Sequence, residues 1–220
     1  MPNVLTPLQD RVLRLFFDEG GAQRGYFLTG GTALGEFYFQ HRRSDDLDLF
    51  NRSPRDLAED ATAFLAALET HGLMTSSERF DRAFARFYVG DERMKVDLAH
   101  DVKAQMAPVR DFAGIQVDSL EDIAVNKVCA LSRHEPKDYT DLYFILTETS
   151  WTLEYLLERA RLKDRLFEDA RGHLQFASDL LWTGSLTLPQ LMLKPLDEHA
   201  EKALFTAEAE KIIRRYAPKR

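Results

Sequence analysis

Two aspartates, Asp46 and Asp48, flank one leucine at the head of an apolar run in "RRSDDLDLF". In a strand, alternation puts both carboxylates on one face and Leu47 and Leu49 on the other. A later run, "ERMKVDLA", repeats the pattern, with Met94, Val96 and Leu98 on one face and Lys95 and Asp97 on the other. If the two strands are neighbours, three carboxylates converge. Two like charges ~4 Å apart repel by about 4 kcal/mol at an effective dielectric of 20. Such a cluster holds a proton or binds a cation, and carboxylate oxygens suit Mg²⁺ or Mn²⁺. Asp46, Asp48 and Asp97 are therefore the expected metal ligands.

Upstream, "FLTGGTAL" ends an apolar run at Gly30-Gly31 and starts a helical pattern at Thr32. Glycine lets backbone approach a ligand closely, and N–H groups at a helix start suit a phosphate. A phosphate cradle beside a metal-binding acidic cluster is what phosphoryl or nucleotidyl transfer needs. Two metals ~3.5–4 Å apart can clamp the reacting phosphate. Asp97 would then serve the metal at the acceptor hydroxyl, or act as its base. Each feature alone is bland: surface strands alternate charges, and Gly-Gly often marks only a turn. Their order along the chain, with the later Lys-Val-Asp strand, points to a metal-dependent transferase.

The elements that must position these residues are legible. "TPLQDRVLRLFFDEGG" reads as a helix with Thr6 as cap, Pro7 at its first position and a stop at Gly20-Gly21. "GYFLTG" reads as a buried strand, a helix is expected from about Thr32 to Phe39, and "DLDLF" is the next strand. "SPRDLAEDATAFLAALETHG" is expected to be a helix capped by Ser53 with Asp56, with Pro54 just inside it. Two or three strands follow, including a hairpin turning near Gly90-Asp91. Beyond residue 118 helical periodicity dominates, and Ser119 with Asp122 forms a second capping pair. The expectation is an α+β domain over residues 1–118, with a mixed sheet flanked by helices. A helical C-terminal domain over 119–220 would complete a cleft.

The bulk composition is that of a globular protein: 45% hydrophobic, 30% charged, net charge −7. The acidity argues against indiscriminate coating of nucleic acid, so basic contacts would be local, at Arg42-Arg43, the basic residues near Arg133 and the tail "KIIRRYAPKR". No apolar run of ~18 residues predicts a membrane span, and "MPNVLTPLQDRV" has no signal-like apolar stretch. The single cysteine, Cys129, fits a reducing cytoplasm and is expected to be a buried bystander. The six histidines show no zinc spacing, and neither G-x-S-x-G nor a P-loop occurs. Phe37, Tyr38 and Phe39 are expected in the core; Tyr139 and Tyr143 lean to core packing over contact with a nucleobase.

"GGTAL" followed by "RRSDDLDL" resembles the opening motif of the DNA polymerase β-like nucleotidyltransferase superfamily. The nearer likeness is to the AbiEii/AbiGii-type, MenT-like toxins, whose pattern Arg42, Ser44, Asp46 and Asp48 fit. "IAVNKVCALSRHEPKDYTDLYFIL" resembles their second region, with Lys127, Arg133, Asp138 and Asp141 in the matching places. The resemblance covers roughly residues 26 to 146. It implies a minimal nucleotidyltransferase fold with a C-terminal helical bundle. It also implies metal ligands at Asp46 and Asp48, and Gly30, Gly31, Thr32, Arg42 and Ser44 near the triphosphate. Lys127 would contact nucleotide phosphates, and Asp138 or Asp141 would line the far side of the cleft. Asn126 departs from a frequent Glu, and Lys137 from a frequent Arg. Without the resemblance, a structural ion pair between Lys127 and Asp138 is the competing reading.

The implied activity is transfer of a nucleoside monophosphate from an NTP to an acceptor hydroxyl, releasing pyrophosphate. The setting would be a cytoplasmic toxin of a toxin–antitoxin or phage-defence system with a cognate antitoxin, acting on tRNA 3′ ends. An antibiotic-like small molecule is the alternative acceptor, and a D-x-D glycosyltransferase fits less well because it leaves the glycines unexplained. A catalytically silent nucleotide-binding module is the competing class, against which Asp46, Asp48 and Asp97 all speak.

Overall fold

Helix α1 (Pro7–Asp18) opens with reciprocal caps. The Thr6 hydroxyl accepts from the Gln9 N–H at 3.2 Å, and the Gln9 side chain accepts from the Thr6 N–H at 2.9 Å. The computed structural model describes residues 4–185 and 191–217. Met1–Asn3 of the N-terminal stretch and Lys219-Arg220 of the basic tail lie outside them. The chain divides into two compact units, residues 1–120 and 121–220.

The first unit is α+β, built on a seven-stranded mixed sheet. Its strands are β1 (Tyr26–Thr29), β2 (Leu47–Asn51), β3 (Thr75–Phe80), β4 (Phe84–Val89), β5 (Met94–His100), β6 (Arg110–Phe112) and β7 (Ile115–Val117). They run in the order β3-β4-β5-β2-β1-β7-β6. β2 is antiparallel to β1 and parallel to β5, and β4–β5 is the expected hairpin. Leu28, Leu47, Leu49, Val96 and Leu98 are fully buried. Phe16 of α1 meets Phe64 of α3 (Leu57–Thr70) edge to face, with centroids 4.8 Å apart. The apolar side of the alternation is thus the core side, so the aspartates emerge on the other.

Four expectations need correction. The cap of α3 is Asp56, whose carboxylate accepts from the Ala58 N–H at 3.1 Å; Ser53 instead donates its N–H to Asn51, so Pro54 lies before the helix. The helix after β1 starts at Gly30, two residues early, as α2 (Gly30–Leu34), and widens into a π-turn over Gly35–Phe39. The hairpin β6–β7 was not foreseen, because three-residue strands carry too little alternation to read. Cys129 is half-buried rather than buried.

The second unit comprises α4 (Leu120–Ala130), α5 (Pro136–Glu148), α6 (Leu153–Ala160), α7 (Ala170–Leu180) and α8 (Glu198–Tyr216). Tyr139 is core, its hydroxyl donating to the Asp179 carbonyl at 2.7 Å and its ring set edge-on to Phe205. Among the described residues no helix is long and apolar enough to cross a membrane.

Glu201 of α8 is only 4% exposed. Burial, and secondarily Glu198, pushes its carboxyl up to about 7. The folded state therefore takes up a proton that the unfolded chain releases near pH 4.5, and stability falls as pH rises across that window. Glu201→Gln is expected to flatten this slope and gain up to about 3 kcal/mol at pH 8. Urea titrations of both proteins between pH 5 and 8 would check it; parallel curves would refute it.

Candidate active site

Strand register brings the acidic residues together. Asp48 of β2 is the direct partner of Asp97 in parallel β5, and of Thr29 in antiparallel β1. Asp46, two residues upstream, leads into β2 from the same side. The Lys95 ammonium lies 2.7 Å from Asp46 Oδ2. Burial opposes its charge, but the Asp46 hydrogen bond and the fields of Asp46, Asp97 and Asp48 outweigh this and hold its pKa above the ordinary value. Three carboxylates thus act on one ammonium.

Asp97 is only 6% exposed and is gripped by Arg86 from β4, with Nε to Oδ1 and Nη2 to Oδ2 both 2.8 Å. Such a two-pronged pair is the strong form of an Arg–carboxylate contact. The hairpin pairs Arg86 directly with Asp97. Sequence reading placed Lys95 on this face without a role and missed Arg86 altogether. The hairpin turn carried the signal, because counting back from it sets residue 86 opposite residue 97.

The glycine pair fits against the same residues. Gly30 has φ of +71°, and a Cβ there would stand 2.3 Å from Asp48 Oδ2. A Cβ on Gly31 would lie 2.4 Å from Arg42 Nη2 and 3.1 Å from Ser44 Oγ. The segment leading into β2 is held at two carbonyls. The Thr32 hydroxyl donates to the Asp46 carbonyl, and the Gln9 side chain donates to the Ser44 carbonyl at 2.7 Å. Gly30, Gly31, Arg42, Ser44, Asp46 and Asp48 are therefore one constellation, braced by Thr32 and by Gln9, which sequence reading used only as part of α1. Arg42 is 3% exposed and donates to the Arg43 carbonyl.

Among the described residues no group of three or more His, Cys, Asp or Glu side chains is gathered as a ready metal cage. The donor chemistry nevertheless fits a hard divalent ion. The oxygens are carboxylate, Lys95 already stands there as a cation, and Gly30 leaves Asp48 the room a Cβ would take.

Lys127, Asp138 and Asp141 form a separate cluster in the helical unit. Lys127 Nζ lies 2.7 Å from Asp138 Oδ1 and 2.6 Å from Asp141 Oδ2, and Arg133 Nη2 reaches Asp138 Oδ2 at 3.1 Å. The two aspartates face one lysine, so both belong to the same ion cluster. All three charges are nearly fully buried. Removing the cation takes the ammonium from Asp141 and leaves Asp138 to Arg133, so Lys127→Met is expected to cost about 3 kcal/mol, read from urea unfolding. A cost under about 1 kcal/mol would mean the pairs contribute as little as surface ones.

One turn away, Lys163 Nζ is held by Asp122 Oδ1 and Asn126 Oδ1, both at 2.9 Å. At Asn126 the amide thus supplies a neutral acceptor to Lys163 beside the Asp122 carboxylate.

The model of the family described as nucleotidyl transferase AbiEii toxin, of a type IV toxin–antitoxin system, matches residues 11–219. No curated protein sequence matches the chain. Among solved structures, the chain is similar to JHP933 of Helicobacter pylori, with 18% identity, 94% of this chain and 91% of that one covered, and TM-score 0.59. It is also similar to MenT4, the nucleotidyltransferase toxin Rv2826c of Mycobacterium tuberculosis H37Rv, with 13% identity, 94% and 82% covered, and TM-score 0.58. At these identities the likeness is one of fold.

Proposed function

Because the chain belongs to the AbiEii nucleotidyl transferase toxin family, we propose that it moves a nucleoside monophosphate from an NTP to the 3′ end of a tRNA, releasing pyrophosphate. Membership makes it a nucleotidyltransferase and a toxin-family protein; the metal, the acceptor, the cytoplasmic setting and a cognate antitoxin are our reading. One observation carries it: Asp48 and Asp97 are direct strand partners, with Gly30 seated against Asp48 and the Lys95 ammonium in the field of all three carboxylates.

In this reading Asp46, Asp48 and Asp97 hold Mg²⁺ or Mn²⁺. When bound, the ion supplies charge neutralisation at the reacting phosphate and a lowered pKa for the attacking hydroxyl. Gly30 and Gly31 let backbone approach the triphosphate, Arg42 and Ser44 flank it beside Gly31, and Thr32 fixes the Asp46 backbone. Asp97 takes the proton of the acceptor hydroxyl. The Lys127–Asp138–Asp141 cluster fixes the junction of α4 and α5.

The test is incubation of the protein with total tRNA, Mg²⁺ and each α-³²P-labelled NTP in turn, beside Asp48→Ala. Label entering RNA from one NTP, lost in the variant and lost with EDTA, is the expected result. NTP binding without labelled RNA would move the acceptor to a small molecule. Absence of NTP binding would sink the transferase reading for this site.

A further inference from the structure

Arg86 already neutralises Asp97, its Nε and Nη2 each taking one lone pair of a carboxylate oxygen, so a divalent ion at Asp97 must share that charge with the guanidinium. The guanidinium is 2.8 Å from each, and the Asp97 side chain is 9% exposed against 30% for Arg86. The carboxylate is therefore fixed in the sheet, and the guanidinium is the member with room to move.

A second acceptor stands ready for it. Glu78 of β3 lies with its Oε1 3.9 Å from Arg86 Nη1. Its position results from an irregularity: the β3–β4 register slips between Ser77 and Arg79, so Glu78 sits in a bulge beside Arg86. A bulge re-aims a side chain in this way. The Tyr88 hydroxyl donates to Glu78 Oε2 and holds that carboxylate in place. The Phe84 ring lies with its centroid 5.3 Å from the guanidinium carbon, a cation–π contact with Arg86.

We propose that Arg86 is a resident counter-cation that competes with the divalent ion for Asp97 and is handed to Glu78 when the ion binds. Arg86 is a positioning residue: it acts through Asp97 and keeps that carboxylate neutralised and oriented until metal arrives. The inference rests on the assignment of Asp97 to the metal site made above.

The experiment is titration of the full-length protein with Mn²⁺, free ion being followed by electron paramagnetic resonance at fixed ionic strength. Arg86→Gln is expected to tighten Mn²⁺ binding by about tenfold, within the range for residues in direct contact. In an Asp97→Asn background the same change is expected to shift affinity by less than about twofold, because the contested carboxylate is gone. Equal tightening in both backgrounds would overturn the proposal, since removal of any nearby positive charge would then explain it. Glu78→Gln, which withdraws the receiving acceptor without touching Asp97, is expected to weaken binding by about threefold; unchanged or tighter binding would overturn the hand-over. Arg86→Lys, with a one-pronged ammonium, stands in if the glutamine variant fails to fold, and is expected to tighten binding to a smaller degree. An Mn²⁺ affinity that Asp97→Asn leaves unchanged would instead remove Asp97 from the metal site, and this inference with it.

Discussion

Asp48→Ala is expected to lower nucleotide transfer by at least about 100-fold, while the thermal midpoint moves little. Even an outer-shell partner of a metal ligand is worth about 10–100-fold, so a direct ligand sets that as a floor. Stability should hold because Asp48 lies on the half-exposed face of β2, whereas its neighbours Leu47 and Leu49 carry the burial. Removing one of three clustered carboxylates also relieves like-charge repulsion. Initial rates of label transfer and a melting curve on the same preparation check both halves. A variant that keeps a tenth or more of wild-type rate would exclude Asp48 as a ligand. A variant that melts far below wild type would give the residue a structural role instead.

Gly30→Ala should be nearly as damaging for a different reason. A φ of +71° costs an L-residue roughly 1–2 kcal/mol, and the new Cβ would fall 2.3 Å from Asp48 Oδ2 and 3.2 Å from its Cγ. The carboxylate must then turn away, and transfer is expected to drop by about 100-fold, like loss of the ligand's support. Gly72 supplies an internal control. It has the same φ of +71°, yet a Cβ there would meet nothing within 4 Å. Gly72→Ala should therefore lose similar stability and keep its activity. If both variants lose activity equally, backbone strain is the cause and the contact with Asp48 is irrelevant.

Local sequence determined the strand that carries Asp46 and Asp48, because alternation with Leu47 and Leu49 fixes which side of a half-buried strand is wet. It also determined α1, through Thr6, Pro7 and Gln9, and the β4–β5 hairpin, whose apolar runs and glycine turn are neighbours in the chain. The family pattern in Arg42, Ser44, Asp46 and Asp48 was legible for the same reason: those residues lie within one short segment.

What only the tertiary structure decided lies between segments far apart in sequence. Asp48 and Asp97 meet because β2 and β5 pair in parallel, a crossover that no local signal encodes. The cap of α3 fell to Asp56 rather than Ser53, a choice that a Ser-to-Asp capping pattern leaves open. Arg86 reaches Asp97 through cross-strand register, and Glu78 reaches Arg86 through a bulge that shifts that register. Sequence period names which residues share a face, whereas hydrogen-bonded register and the filling of buried charge decide which of them touch.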